Sequence, residues 1–502
     1  MSLGTPGPGL PVRNAQAFAL KDVPRMSMGA FREWLISGCA SGGRIAAWFV
    51  HRGNGAREMF AVLALDDESL LEVAAVTGGD AFDSITKECP QAQGFERELW
   101  EQWGIEPRGH PWLKPVRFPP SSVDGRVTEI GRMDFYRVEG SEIHEVAVGP
   151  VHAGVIEPGH FRFQCHGEQV LHLEISLGYQ HRGVERALNA QRSDSPRWMP
   201  LVETLAGDTT IGHATASCHL LETLAGQEVP ARAMAIRGIA LELERVANHV
   251  GDLGALANDI GFLPTASFCG RLRGDALNLT AALCGSRFGR GLVRPGGTAW
   301  DLDGALVESL LARLGPLERD VVGACEMLWG TPSVMARFEG TGVLDRKVCD
   351  QIGLVGVAAR ACGAGRDVRQ DFPSGIYRFS QIPVCTWDTG DVFARAYVRT
   401  MEVRRSLAFV REQLTSLPAG KTRHACPKPE VGKAAISLVE GWRGEICHVG
   451  LVNEGGGVLR YKVVDPSFHN WFGLACALRG QAISDFPLCN KSFNLSYCGH
   501  DL

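Results

Sequence analysis

Five side chains in this sequence could transfer protons, and their types are histidine and glutamate. They are His152, Glu157, His160, Glu185 and His213. Imidazole changes charge near neutral pH, and a partly buried carboxylate can relay protons when desolvation raises its pKa. A histidine met alone is more often a surface or hydrogen-bonded core residue, and either glutamate could simply pair with Arg182 or another arginine.

The cysteines have no metal-binding pattern. There are 15 of them, scattered along the chain, and none forms a C-x-x-C pair. Iron–sulfur and zinc sites need sets of closely spaced thiolates, so the chain is predicted to hold no intrinsic cofactor, and its cysteines to be buried thiols in a reducing compartment. No G-x-G-x-x-G opens a helix after a strand, which disfavours a nicotinamide or flavin site.

Length and charge limit the remaining classes of protein. A chain of 502 residues favours two to four domains, and a formal net charge of -5 disfavours nucleic acid as a partner. The N-terminus lacks the charged and apolar regions of a signal peptide, and no run of about 18 apolar residues occurs. We therefore expect a cytoplasmic chain whose membrane link comes through partner proteins.

Hydrophobic periodicity and proline content predict an α+β chain in several parts. Residues 1–25 are expected to be a loose N-terminus, 26–105 a small α/β module, 106–135 a proline-rich linker and 136–502 a mainly helical large domain with small β elements. Period-two runs around Gly167 predict a hairpin, and Trp442 to Tyr461 also alternates. Helical spacing is present from Ile236 to Leu253, and across 302–330 and 390–415.

One motif resembles a complex I subunit. The string FERELWEQWGIEPRGHPWL at 95–113 predicts a helix stopped by Gly104, with Phe95, Leu99 and Trp103 on one face. The whole string is similar to the signature of the 30-kDa-type subunit of respiratory complex I.

Further motifs resemble a second subunit. The segments GPVHAGVIEPGHFRF (149–163) and GYQHRGVERAL (178–188) look like the opening of the 49-kDa-type subunit of complex I, and more closely that of the large subunit of energy-converting, formate-hydrogenlyase-type (group 4) [NiFe] hydrogenases. Others follow in the same order: LELERVANHVGDLG, RFGRGLVRPGG, GLVGVAARACGAGRDVRQDFP, GDVFARAYVRTMEVRRS and EGWRGEICHVGLV. The resemblance covers residues 55–502 and implies a fusion of the two subunit types.

In the resembling hydrogenases four cysteine thiolates hold nickel, and hydroxyl groups cannot replace them. The corresponding positions of this sequence are Ala206, Thr209, Ser496 and Gly499. The metal ligands are therefore predicted to be lost, and intrinsic hydrogenase activity with them.

The resemblance to complex I implies a quinone site with a histidine and a tyrosine. His152 or His160 could stand in the place of the histidine, but the tyrosine falls on Gly207, which has no ring. Glu157 and Glu185 correspond to acidic positions near the hydrogenase active site. A quinone therefore stays a candidate acceptor, without assistance from a tyrosine.

Together these resemblances imply a subunit of a membrane-associated oxidoreductase complex that supports electron transfer without its own nickel–iron centre. The implied partners are a small subunit of the complex I 20-kDa type with a [4Fe–4S] cluster, antiporter-like membrane subunits and a candidate quinone. The chain would lie on the cytoplasmic face of the inner membrane. The alternatives are a non-catalytic scaffold and, against the ligand assignment, a functional hydrogenase.

Overall fold

The computed structural model describes residues 8–53, 56–119, 129–154 and 156–502. It mixes helices and strands throughout, which confirms the predicted α+β class. The strands are β1 (Leu10–Val12), β2 (Phe18–Ala19), β3 (Arg25–Met26), β4 (Arg44–Gly53), β5 (Ala56–Leu65), β6 (Leu70–Thr77), β7 (Ala81–Asp83), β8 (Glu106–Arg108), β9 (Ile143–Val148), β10 (His160–His166), β11 (Gln169–Ser176), β12 (Val293–Arg294), β13 (Gly297–Thr298), β14 (Lys433–Gly441), β15 (Gly444–Val452) and β16 (Val458–Val464).

The helices connect and cover these strands. They are α1 (Met28–Ala40), α2 (Gln93–Trp103), α3 (Val184–Asn189), α4 (Trp198–Val202), α5 (Thr210–Leu224), α6 (Ala231–Asp259), α7 (Leu263–Cys284), α8 (Gly304–Trp329), α9 (Pro332–Phe338), α10 (Arg346–Ile352), α11 (Gly356–Arg360), α12 (Val368–Asp371), α13 (Val392–Thr415), α14 (Pro466–Ala477), α15 (Phe486–Phe493) and α16 (Tyr497–Asp501). Among the described residues, none of these helices combines the length and apolar character needed to cross a membrane.

The N-terminal module is a sheet covered by helices. β4, β5 and β6 form antiparallel pairs, and their apolar residues are almost all buried. α1 packs on this sheet through Phe31, Trp34 and Leu35, because these spacings place the three side chains on one helix face. α2 ends at Gly104, whose φ of 66° lies in the left-handed region that favours glycine.

Residues 8–25, expected to be part of a loose N-terminus, contain short strands. β1 pairs with β6 of the module, and β2 pairs with β14 of the large domain. Each short strand satisfies backbone groups at the open edge of a sheet, which explains why a Gly/Pro-rich segment is ordered here. Residues 1–7 lie outside the described residues.

The proline-rich segment 106–135 is more than a linker. β8 pairs in parallel with β7, and Val116, Arg117 and Phe118 are buried. Arg117 forms an ion pair with Glu98 of α2 and donates from Nε to the carbonyl oxygen of His500 at 2.6 Å. The segment therefore attaches the module to the large domain. Residues 120–128 of the expected linker lie outside the described residues.

The large domain is built around α6, which packs against α7 and α13, and α5 lies on the β14–β15 hairpin. The predicted hairpins are confirmed: β10 pairs with β11 across a turn at Gly167, and β15 pairs with β16. The charged face of α6 is also buried. Its Glu242 and Arg245 form an ion pair at 3.0 Å. Glu242 also forms an ion pair with Arg369, and Arg245 with Glu402.

Candidate functional site

The structure brings together the two segments that carry the predicted lost-ligand positions. The backbone N–H of Gly207 donates to the thiol of Cys498. Arg443, at the tight β14–β15 turn, donates to the Thr209 hydroxyl at 3.2 Å and to the carbonyl oxygen of Asn494 at 2.5 Å. Residues 206–209 precede α5, and Ser496 is the N-cap of α16. The N-terminus of α5 therefore faces the N-terminus of α16.

An ion pair between buried Arg443 and half-buried Asp208 forms one wall of this site. Arg443 holds both carboxylate oxygens of Asp208, at 2.6 and 2.8 Å. Burial alone would raise the pKa of Asp208, but the adjacent guanidinium outweighs it and the pKa is lowered. The arginine is engaged by this carboxylate and by Thr209, so it is not a free anion receptor.

The space at Gly499, the fourth predicted ligand position, is filled by another residue. Asp465 is the N-cap of α14, and its carboxylate lies directly against Gly499. A Cβ at Gly499 would lie 2.6 Å from Oδ2 of Asp465, which leaves no room for a side chain. The Ser496 hydroxyl is meanwhile used to cap α16, accepting from the Gly499 N–H at 2.9 Å.

These residues do not fit a four-thiolate nickel–iron centre. Ala206 and Gly499 offer no donor atom, and the hydroxyls of Thr209 and Ser496 are already hydrogen-bonded. The thiol at this site belongs to Cys498, in contact with the Ser496 Oγ at 3.4 Å. Within the described ranges, no group of three or more His, Cys, Asp and Glu side chains could hold a metal ion. The site is open at Gly207, where an added Cβ would meet nothing within 4 Å.

Glu157 reaches the same site from a different segment. Its carboxylate accepts hydrogen bonds from the backbone N–H groups of Tyr497 and Cys498. The residue is exposed, yet the protein around its carboxyl partly desolvates it and raises its pKa; Asp208 adds to this rise, while Arg443 opposes it. Glu157 is thus a carboxylate at the solvent side of the site.

His152 and His160 hold the two ends of the loop that carries Glu157. Nε2 of His152 lies 2.7 Å from the carbonyl oxygen of Gly159, and Nδ1 of His160 lies 3.2 Å from that of Gly149. Desolvation lowers the pKa of His160, which favours the neutral form of this imidazole. A Cβ at Gly159 would lie 2.7 Å from the ring of Tyr497, which shows how closely the loop packs on α16.

His213 lies under the site, on α5, and is fully buried. Its Nε2 is 3.1 Å from Oδ2 of Asp465, and its Nδ1 is 3.1 Å from Nε2 of His448. Of the five predicted proton-transfer residues, His213 and Glu157 therefore contact the groups that surround the lost-ligand positions. His152 and His160 support the loop beside them.

Glu185 lies in a separate charged cluster. Its carboxylate is 2.6 Å from Arg460 and 3.3 Å from Nζ of Lys462, which also binds Glu98 of the N-terminal module. Burial acts to raise the pKa of Glu185, but Lys462 and Arg460 lower it further than burial raises it. The residue is a fixed carboxylate, as in the ion-pair alternative, and its arginine is Arg460, not Arg182.

Sequence reasoning missed Asp208 and three further members of the site, Asp465, His448 and Tyr461; His448, like Arg443, was noted only inside a motif. Asp208 stands between two aligned positions, Gly207 and Thr209, so its place in the chain was a usable signal. The other three are distant in sequence, and β15, β16 and α14 bring them to the site.

Comparison with known proteins gives two family matches. The family described as "Respiratory-chain NADH dehydrogenase, 49 Kd subunit" matches residues 259–435, and "Respiratory-chain NADH dehydrogenase, 30 Kd subunit" matches residues 45–125. The chain is 29% identical to hydrogenase-4 component G of Escherichia coli (strain K12), over 88% of this chain and 80% of that protein. It is 31% identical to the carbon monoxide-induced hydrogenase of Rhodospirillum rubrum, over 70% of this chain and 97% of that protein.

A solved structure has the same fold. It belongs to the membrane-bound sulfane sulfur reductase, an archaeal respiratory membrane complex. The two structures match with a TM-score of 0.67 and 23% sequence identity, over 73% of this chain and all of the reductase chain. The ordered motifs and these matches agree. The chain belongs to the family of large subunits shared by respiratory complex I and the membrane-bound hydrogenases, with the 30-kDa-type and 49-kDa-type parts fused in one polypeptide.

Proposed function

We propose that this protein is the large subunit of a membrane-associated complex-I-like oxidoreductase, and that it supports electron transfer without holding a nickel–iron centre. One observation carries the proposal. The loop with Glu157, His152 and His160 remains docked on α16, beside positions that supply no set of thiolates. This arrangement supports a proton-handling role for these groups beside positions that lack metal ligands.

The family supports a set of partners for this role. Relatives include a hydrogenase-4 component and a carbon monoxide-induced hydrogenase. We infer that a small subunit with a [4Fe–4S] cluster delivers electrons, and that antiporter-like subunits attach the chain to the cytoplasmic face of the inner membrane. A quinone is the candidate acceptor. It would approach from the Gly207 side, where the site is open.

A non-catalytic scaffold is the second candidate, and a specific observation favours it. Asp465 fills the space at Gly499, the fourth predicted ligand position, and Arg443 is already hydrogen-bonded to Asp208 and Thr209. A site whose polar groups are satisfied by one another is what a purely structural role would need. Measurement of enzymatic turnover by the purified complex distinguishes the two candidate functions.

The test uses the complex purified with its membrane and cluster-bearing partners. Nickel and iron are quantified, and hydrogen uptake and quinone reduction are measured with a low-potential donor. The variants are His152→Gln and His160→Gln. His166→Gln serves as the matched control, because that histidine lies on the same hairpin as His160 and its side chain is 54% exposed.

Three outcomes separate the candidates. Iron without nickel, with inhibitor-sensitive quinone reduction that is lost in His152→Gln or His160→Gln but kept in His166→Gln, supports the electron-transfer role. Iron without turnover of either substrate leaves the scaffold. Stoichiometric nickel with hydrogen uptake would overturn the ligand assignment and restore a hydrogenase.

A further inference from the structure

Four buried side chains lie in series behind the candidate site. Oδ2 of Asp465 is 3.1 Å from Nε2 of His213, whose Nδ1 is 3.1 Å from Nε2 of His448. Nδ1 of His448 is 2.7 Å from the hydroxyl of Tyr461. All four residues are at most 1% exposed, so no bulk water replaces a missing donor or acceptor. The chain of contacts joins α14, α5, β15 and β16.

The surroundings of Asp465 determine which atoms donate. Its Oδ1 accepts the backbone N–H of Ser467 at 2.8 Å, and this donor cannot reverse its role. A carboxylate has only acceptors, so Oδ2 must accept from Nε2–H of His213. A neutral imidazole has one donor and one acceptor; Nδ1 of His213 therefore accepts from Nε2–H of His448.

The remaining hydrogen bonds of the series have the same direction. Nδ1 of His448 is left as an acceptor, and it accepts the O–H of Tyr461. Ser217, in hydrogen-bonding contact with the Tyr461 hydroxyl, can donate to it in turn, and Trp198 Nε1 donates to Ser217 Oγ at 3.1 Å. Every link then carries one proton, and every donor points towards Asp465.

We propose that Asp465 is the positioning residue that sets the direction of this hydrogen-bond chain, so that the state of its carboxyl group decides which ring nitrogens of His213 and His448 carry the proton and how Tyr461 is hydrogen-bonded. The proposal goes beyond the proposed function, because the direction of the chain requires no particular electron acceptor. It concerns the relative position of protons on two named imidazole rings.

The reversed chain is also chemically complete. A proton from solvent, added at Oδ2 of Asp465, makes that atom a donor to Nε2 of His213. Each ring then carries its proton on Nδ1 instead of Nε2, and Nδ1–H of His448 donates to the Tyr461 oxygen. The tyrosine keeps its O–H and turns it towards Ser217. One proton is gained, and four hydrogen bonds change direction, the last of them between Tyr461 and Ser217.

Substitution of Asp465 by asparagine imposes the same reversal without any proton. The N–H of Ser467 fixes the amide oxygen in the place of Oδ1, so the amide NH2 group must face Nε2 of His213. Asparagine is as good an N-cap as aspartate, and α14 is expected to keep its start. We therefore expect the fold to tolerate the substitution that reverses the chain.

The experiment is nitrogen NMR of the full chain labelled with 15N-histidine. His213→Gln and His448→Gln proteins assign the two rings by subtraction. In the unsubstituted protein we expect both rings to carry their proton on Nε2, and in Asp465→Asn both to carry it on Nδ1. The matched control is Asp391→Asn, which changes another buried aspartate N-cap, that of α13, and should leave both rings unchanged.

Each outcome decides the matter. Rings that keep the Nε2 proton in Asp465→Asn, or an imidazolium on either ring of the unsubstituted protein, overturn the proposal. If Asp465→Asn does not fold, Tyr461→Phe replaces it as the test. That change removes the last donor, and because the direction is fixed from the Asp465 end, Nε2 of His213 should remain protonated. A change of the proton to Nδ1 of His213 in Tyr461→Phe contradicts the proposal.

Discussion

A methyl group added at Gly499 should destabilise the protein strongly, because Asp465 occupies the space it needs. The Cβ of Gly499→Ala would lie 2.6 Å from Oδ2 and 2.7 Å from Cγ of Asp465, whereas ordinary van der Waals contact begins at 3.4 Å. The carboxylate must therefore move by about 0.8 Å. It cannot move freely, since Oδ1 is held by the N–H of Ser467 and Oδ2 by His213.

The magnitude follows from two costs. Forcing an extra carbon into a packed site costs about 1–3 kcal/mol. Stretching the buried hydrogen bond between Asp465 and His213 loses part of an interaction that contributes roughly 1.5–3 kcal/mol when one partner is charged. We expect the free energy of unfolding to fall by about 2–4 kcal/mol in Gly499→Ala.

Denaturant titration of the full chain measures this change, with Gly207→Ala as the matched control. Both glycines belong to the candidate site, but a Cβ at Gly207 meets nothing within 4 Å, so its effect should stay within about 0.5 kcal/mol. The double variant with Asp465→Ala should lose less than the sum of the single changes, because the clash has been removed.

Equal stability of Gly499→Ala and Gly207→Ala would refute the reasoning. It would mean that Asp465 does not close the fourth ligand position, and a thiolate could then be restored at residue 499 without cost. The same result would remove the structural argument for the scaffold candidate.

Three further changes test other parts of the structure. Burial acts to raise the pKa of Glu98, but Lys462 and Arg117 outweigh it and lower the pKa to about 2, below its usual 4.5. The contribution of Glu98 to stability is therefore present above pH 4.5 and lost as pH falls towards 2. The unfolding midpoint of Glu98→Gln should vary less with pH over this range than that of the unsubstituted protein. Burial raises the pKa of Asp371 to about 7, so the stability linked to its neutral form is present below pH 3.8 and lost as pH rises through 7. Asp371→Asn should unfold at higher denaturant than the unsubstituted protein at pH 8 but not at pH 4, and the opposite order would contradict its burial as a neutral acid. Gly207→Tyr should fold normally and raise the rate of quinone reduction by the complex; an unchanged rate with intact folding argues against a quinone at this site.

The sequence alone was sufficient for the family and for the main elements. Helical periodicity from Ile236 to Leu253 and the alternation around Gly167 predicted α6 and the β10–β11 hairpin, because apolar spacing reports directly on which face is buried. It was insufficient for the N-terminal segment. β1 and β2 are ordered only because distant strands offer open edges, and composition contains no information about those edges.

The same division holds for the candidate site. Alignment of motifs predicted which residues stand at the lost-ligand positions, since the motifs follow one another in the same order as in the resembling family. Only the tertiary structure decided what surrounds these predicted positions: Asp465 against Gly499, Arg443 on Asp208, and a buried chain through His448. These residues are far apart in sequence, and their contacts depend on how β15 and α14 pack on α5. A sequence shows which side chains are available for a site. The distances and contacts that determine their chemical roles are set only when the helices and strands pack together.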